Sequence, residues 1–287
     1  MKKYVLKQIM TFVTAVVLLT GCELESGLYS NIGEGMGFPS NAEDATALVS
    51  GTCYTIFSPW GIFFPDAGYF TNSEMVTDIG ENSWGWTTVY NSYEADDWHI
   101  DSSSRCQYRR YNYISMMTLT LHKIENVEMD SKLKERLLAE VKCGRGFLAF
   151  LLYDLYGPIQ IADLEPLLAP KDEILIPRRT EEAMHEFIES NLLEAAAVLP
   201  HSYTAGDYGR FTKGLANTVL LKFYMLTKQW LKAEAIGREL TKPEYGYRLV
   251  DDYNSLFNLG SEQNTETIYA ATAKAGVIEH KWHAHVL

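Results

Sequence analysis

The stretch KLKERLLAEVKCGRGFLAFLLYDLYGP, residues 132–158, decides the fold. Leu133, Leu137, Leu138, Val141, Leu148, Leu152 and Leu155 recur at steps of mostly three or four, which lays one apolar stripe along a helix over 132–156. Gly157-Pro158 stops it. Upstream, the same period runs from about Arg105 to residue 127 and supplies an antiparallel partner helix. Downstream, Thr180 is a good cap for a further helix, with Glu181 and Glu182 in the first turn where the helix dipole favours negative charge. Ala183, Phe187, Leu192, Ala195, Ala196 and Leu199 line that helix until Pro200. Another begins at about Thr212 and runs through Ala216, Leu220 and Tyr224. A last one follows Lys228-Gln229, through Ala233, Ile236 and Leu240, to Pro243.

The last two helices form a hairpin in which Tyr224 precedes Ala233 by nine residues. Tetratricopeptide repeats place a Tyr and a small residue at that separation so that two helices pack closely. Any tight helical hairpin needs a small residue at its crossing, but a second pair, 105–127 with 132–156, extends the pattern. The fold expected is mainly α: a tetratricopeptide-like solenoid of helical hairpins, with an aromatic-rich loop segment near the N-terminus.

Composition sets the outer bounds. The chain has 287 residues, 47% hydrophobic and 22% charged, ample for a buried core and unlike a disordered chain. With 25 basic and 37 acidic side chains the net charge is −12, which argues against binding a phosphate backbone. Nucleic acid is therefore not an expected partner. The charge is uneven: residues 22–104 hold 13 acidic side chains and no Lys or Arg, whereas 105–287 is nearly balanced at 24 acidic and 22 basic.

The N-terminus reads as an address. Lys2, Lys3 and Lys7 precede an apolar run at 9–19, roughly 16 Å of helix and about half a bilayer core, so a signal segment rather than a span. Leu19-Thr20-Gly21-Cys22 follows and resembles the bacterial lipobox. That resemblance implies cleavage before Cys22 and lipidation of its thiol, and several acyl chains, at about 0.8 kcal/mol per buried CH₂, anchor firmly. Cys53, Cys106 and Cys143 remain in an oxidising compartment, and no spacing suggests zinc. A Cys53–Cys106 bridge is compatible with that compartment but unsupported by any pattern. The run Gly33-Glu34-Gly35-Met36-Gly37-Phe38-Pro39 lacks a preceding strand, so it reads as a flexible tether rather than a nucleotide loop.

Residues 54–113 hold 15 aromatics in 60 positions, about twice the chain average of 13%, including four of its six tryptophans. Periodicity there is poor, so the segment reads as loops with a short strand at 87–90.

In order along the chain, these motifs resemble the SusD/RagB outer-membrane lipoproteins. Ala139-Glu140-Val141-Lys142-Cys143-Gly144-Arg145-Gly146-Phe147 through Tyr156-Gly157 resembles that family's A-E-x-K-x-x-R-A helix ending in Y-G. Pro177-Arg178-Arg179-Thr180-Glu181-Glu182 through Leu199-Pro200 is similar to its next segment. Gly209-Arg210-Phe211-Thr212-Lys213-Gly214-Leu215-Ala216 through Trp230-Leu231-Lys232-Ala233 is similar to the helical pair after it. Thr265-Glu266-Thr267-Ile268-Tyr269 is similar to a strand-like element that follows. Two departures stand out. The turn Gly157-Pro158-Ile159-Gln160-Ile161 replaces Gly-Asp-Val-Pro-Leu, and Gly144 and Gly146 replace larger residues, at about 1 kcal/mol each in helix propensity. Members of the family are about twice as long, so the chain resembles an N-terminal half, either naturally short or from a truncated reading frame.

The resemblance implies binding rather than catalysis. It implies a surface-exposed, lipid-anchored protein of the outer membrane of Bacteroidetes that captures glycans and delivers them to a SusC-like, TonB-dependent transporter. The domain reading that goes with it is a signal peptide at 1–21, a lipid-attached tether and entry into the domain at 22–50, and a SusD-like N-terminal helical-repeat domain at 51–287, without the family's C-terminal half. Glu23 and Glu25 resemble a short acidic signal for surface export. Alternatives are a helical-repeat module that docks a partner and binds no sugar, or an inactive fragment.

Sugars are bound by aromatic faces, with amides and carboxylates accepting from hydroxyls. Asp78, Asn82, Trp84, Trp86, Tyr90, Asn91, Tyr93 and Trp98 supply both kinds of group. Trp84 and Trp86 share a face if extended, and Ser73-Glu74-Met75-Val76-Thr77-Asp78 resembles an E-x-x-T-D stretch beside the family's binding face. His280, His283 and His285 lie close in sequence, but without carboxylate or cysteine at ligand spacing no metal is expected, and no cofactor. Asp96-Asp97 and Asp251-Asp252 are adjacent pairs, which do not build a glycosidase dyad and read as solvated loop carboxylates.

Overall fold

The computed structural model describes residues 37–58, 61–63, 69–74, 76–78, 107–169, 174–274 and 276–277. The compact unit Pro39–Leu287 is built on helices. In chain order these are α1 (Ala42–Thr52), α2 (Tyr69–Glu74), α3 (Tyr111–Glu125), α4 (Ser131–Tyr156), α5 (Leu164–Leu168), α6 (Glu181–Val198), α7 (Lys213–Leu226) and α8 (Trp230–Leu240). Gln160 and Arg178 form an isolated antiparallel bridge.

Local chemistry sets the helix ends. Asp130 caps α4 by accepting from the Leu133 amide, and Gly157, at φ +67, lets the chain turn away from its last turn. Thr180 and Thr212 accept from the amides of Ala183 and Leu215 and so start α6 and α7. Asn41 starts α1, its side chain accepting from the amides of Glu43 and Asp44. No side chain caps α3, whose regular part begins at Tyr111 behind a 3₁₀ turn at Gln107–Arg110. Its expected start near Arg105 is therefore several residues early.

The helices pack as a series. α1 lies on α3 and α4, α3 pairs with α4, α4 with α6, α6 with α7, and α7 with α8. This is the tetratricopeptide-like order. Tyr224 and Ala233 are both buried where α7 meets α8. The hairpin turn between them holds Lys228 in the left-handed region at φ +59, while the Gln229 amide donates to the Tyr224 carbonyl. One continuous core runs through the array, with Val49, Met117, Leu137, Leu148, Leu152, Ile188, Leu192, Leu220 and Phe223 buried in it. Burying each such side chain contributes about 1.5–3 kcal/mol.

α4 is the central helix and meets neighbours on two sides, which explains its glycines. A Cβ at Gly144 would overlap the Cys53 sulfur and come within 3.1 Å of the Phe211 ring. One at Gly146 would come within 2.8 Å of Leu192 on α6. The propensity lost at these positions is exchanged for close approach of two flanking layers. Cys53 and Cys143 are both buried and free, so the Cys53–Cys106 bridge considered from the sequence does not form.

The same helix buries a carboxylate. Glu140 has no exposed surface. It accepts from the Tyr54 hydroxyl at 3.0 Å, from the Arg210 guanidinium at 3.0 Å and from the Tyr203 hydroxyl at 3.4 Å. Arg136 stands 3.5 Å away as a second cation. Tyr54 in turn accepts from the Phe211 amide. Segments 63–86 residues distant in the chain are thereby fastened to the middle of α4. Burial pushes the Glu140 carboxyl above its usual range, although Arg210, Tyr54 and Arg136 pull the other way.

Candidate functional site

Of the residues expected to touch ligand, Asp78 is described. It is exposed at the end of a bend that follows α2, where the Thr77 amide donates to the Glu74 carbonyl. The hydroxyl of Tyr69, the first residue of α2, donates to Asp154 on α4 at 2.5 Å and so ties the start of this segment to the core. Asn82, Trp84, Trp86, Tyr90, Asn91, Tyr93 and Trp98 lie outside the described residues, as do Cys22, Asp96-Asp97 and the three histidines at 280, 283 and 285. Asp251 and Asp252 are exposed, and Asp252 accepts from the Asn254 amide to cap a 3₁₀ turn, which fits the solvated-loop reading. Among the described residues no cluster of His, Cys, Asp and Glu is arranged to hold a metal ion, and no helix is long and apolar enough to cross a membrane.

A cleft elsewhere in the chain was not signalled by the sequence. The turns after α6 and α8 and the segment 264–270 enclose a cleft of about 240 Å³. Tyr203, Tyr208, Tyr245, Tyr247 and Tyr269 supply its aromatic surface, with His201, Arg210 and Thr212 among the polar lining. Most of these groups are held in place by partners behind the wall. Tyr245 accepts from Asn217 at 2.8 Å and donates to Glu239 at 3.1 Å. Burial and that carboxylate together push its hydroxyl up to about 12. The Tyr247 hydroxyl packs against Gly214 in the first turn of α7, in the space that a Cβ there would take. Tyr203 and Arg210 reach through to Glu140, and Arg210 also binds Asp207 at 2.5 Å. The His201 ring stands edge-on to Tyr245, centroids 4.5 Å apart. Two buried polar atoms here, His201 Nδ1 and the Tyr208 hydroxyl, have no hydrogen-bond partner among the described residues.

Helical hairpins in series, a capped central helix with two close-approach glycines and an anchored segment ahead of them define a helical-repeat protein. The family of SusD-like proteins described as "starch-binding associating with outer membrane" matches residues 65–225, more than half of the chain, and the chain belongs to that family. Solved structures agree on the fold. A SusD-like protein from Bacteroides fragilis superposes with a TM-score of 0.70 at 21% identity, covering 83% of this chain and 46% of its own. A laminarin-binding SusD-like protein gives 0.70 at 24% identity, covering 80% and 51%. Surface glycan-binding protein A of Bacteroides thetaiotaomicron, solved with laminarihexaose, gives 0.68 at 16%, covering 82% and 50%. This chain thus spans about half the length of these relatives. No curated protein sequence matches it.

Proposed function

We propose that the protein captures oligosaccharides at the cell surface as an outer-membrane lipoprotein anchored through Cys22, and hands them to a SusC-like, TonB-dependent transporter without cleaving them. The observation that carries this reading is the family match over residues 65–225, a span that includes the whole aromatic segment from Asp78 to Trp98. Two structural relatives are named for laminarin or laminarihexaose, which makes β-glucan oligosaccharides the first ligands to try. Trp84, Trp86 and Trp98 are the platform in this reading, with Asp78, Asn82 and Asn91 accepting from sugar hydroxyls. Calorimetry of the chain from Cys22 onward against laminari-, malto- and xylogluco-oligosaccharides tests it. Saturable binding to at least one series supports the proposal; heat of dilution alone across the panel refutes it. Release of reducing ends on incubation would refute the non-catalytic part.

A second reading, a helical-repeat module that docks a partner and binds no sugar, rests on the apolar row at the α7–α8 turn. Met225, Leu226, Trp230 and Leu231 are 51%, 45%, 57% and 84% exposed. A chain that binds a purified transporter complex but no oligosaccharide favours this reading.

A further inference from the structure

We propose that the cleft between His201 and Tyr269 is a saccharide subsite of its own, sized for one neutral sugar ring and separate from the 78–98 segment. The glycan-capture reading supplies the ligand class; the location and the neutrality come from the cleft.

Size is the first argument. Sites for drug-sized ligands run to about 300–1,000 Å³, and at about 240 Å³ this cleft suits something smaller. The second argument is which polar atoms remain available. The hydroxyls of Tyr203 and Tyr245 are engaged. So is Asn264, whose oxygen accepts from the Glu266 amide and whose nitrogen donates to the Ser261 carbonyl, and Thr265 donates to the Arg248 carbonyl. Among the described residues, His201 Nδ1 and the Tyr208 hydroxyl are left over, buried without a partner on two residues that line the cleft. A buried polar atom without a partner costs about 1–3 kcal/mol. A sugar hydroxyl, which donates and accepts, satisfies either atom while its C–H face lies on the tyrosine rings.

Charge narrows the class further. The Arg210 guanidinium is already matched by Glu140 and Asp207, at 3.0 and 2.5 Å. Among the described residues that line the cleft, Arg210 is therefore not left as an unmatched cation for a phosphate or carboxylate. On the Tyr208 side the neighbouring charge is that of Glu262, which with burial raises the Tyr208 hydroxyl. An anionic ligand would be repelled there, whereas a neutral polyol would not.

The test uses the chain from Cys22 onward with ¹⁵N-labelled histidine, at fixed pH. The His201 signal is identified by its loss in His201→Gln. Neutral monosaccharides and laminaritriose are titrated in, with glucose 6-phosphate as the anionic counterpart. The expected result is a saturable shift of the His201 resonance with at least one neutral sugar and weaker binding of the phosphate. Tyr208→Phe, which keeps the ring and removes the unpartnered hydroxyl, should weaken that binding by roughly 2- to 10-fold, the range for one neutral hydrogen bond, with a melting temperature no lower than the parent's. Trp84→Ala should leave the His201 shift in place. No shift with any neutral sugar means that the cleft holds water only and overturns the proposal, even where calorimetry shows the protein binding glycan. Tighter binding of the phosphate, or a shift abolished by Trp84→Ala but not by Tyr208→Phe, overturns it as well.

Discussion

Gly144→Ala separates the two roles a helical glycine can play. In an open helix position the change stabilises by up to about 1 kcal/mol. At Gly144 the added methyl overlaps Cys53 Sγ and lies 3.1 and 3.4 Å from the rings of Phe211 and Phe57. Cys53, Phe211 and Phe57 are all fully buried, so none can swing into solvent. Overpacking a rigid core costs about 1–3 kcal/mol, and three immobile neighbours place this site toward the upper end. The net expectation is a loss of about 1–2 kcal/mol, a fall of roughly 2–8 °C in melting temperature for a domain of this size. Gly237 in α8 supplies the internal control, because the nearest atom to its added Cβ, on Leu221, is 4.0 Å away. Gly237→Ala should raise the melting temperature. Cys53→Ala removes the overlapping sulfur, so Gly144→Ala should cost at least about 1 kcal/mol less in that background, a coupling read from a double-mutant cycle. Urea denaturation of the four proteins measures it. If Gly144→Ala stabilises as Gly237→Ala does, or if its cost is unchanged without the Cys53 sulfur, the close-approach account of α4 is wrong.

Glu140→Gln leaves Arg210 and Arg136 facing a neutral group; breaking a buried pair costs about 3–5 kcal/mol, and Asp207, still bound to Arg210, holds the loss near the lower figure, to be read from urea midpoints. Glu189 joins α6 to Tyr224 of α7 at 2.7 Å and to Lys232 of α8 at 2.6 Å. Burial alone would raise its carboxyl, but Lys232 and Tyr224 outweigh burial and hold it below its ordinary 4.5. A depressed carboxyl stabilises above its unfolded value and ceases to as pH falls through the folded one. Melting temperature should therefore drop less steeply on acidification in Glu189→Gln than in the parent. Trp84→Ala, Trp86→Ala and Trp98→Ala should each be assayed for glycan affinity and melting temperature; a platform residue loses roughly 1–3 kcal/mol of binding with little stability, a core residue about 3–5 kcal/mol of stability. Cys22→Ser should yield unlipidated protein released from membranes, and a membrane-bound variant would refute the anchor.

Helices α4, α6, α7 and α8 were legible because each carries its own start and stop. Thr180 and Thr212 cap through their own side chains, Gly157-Pro158 and Pro200 end their helices locally, and Tyr224 meets Ala233 within one hairpin. α1 was not among the helices expected. Ala45 and Val49 are its buried residues, too few for a clear period, and a glycine run precedes it. The glycines of α4 read as weaknesses because their partners, Cys53, Phe211 and Leu192, are 91, 67 and 46 residues away. The same distance in sequence hid the Glu140 cluster. Of the candidate ligand residues, aromatic density marked a segment without fixing which side chain faces outward. The His201 cleft left no mark at all, since its walls come from turns and the irregular segment 264–270, which share no period.

The thiols of Cys53 and Cys143 carry one more consequence. Burial pushes both well above the usual thiol range, so neither ionises to the reactive thiolate while the fold is closed. Both sit where the first hairpin meets α1 and its following turn. An alkylating reagent can reach them only when that junction opens, and the rate of their labelling then measures the opening equilibrium directly. The protein thus carries a built-in chemical clock for the breathing of its N-terminal layer, readable by mass spectrometry without a probe being added to the chain.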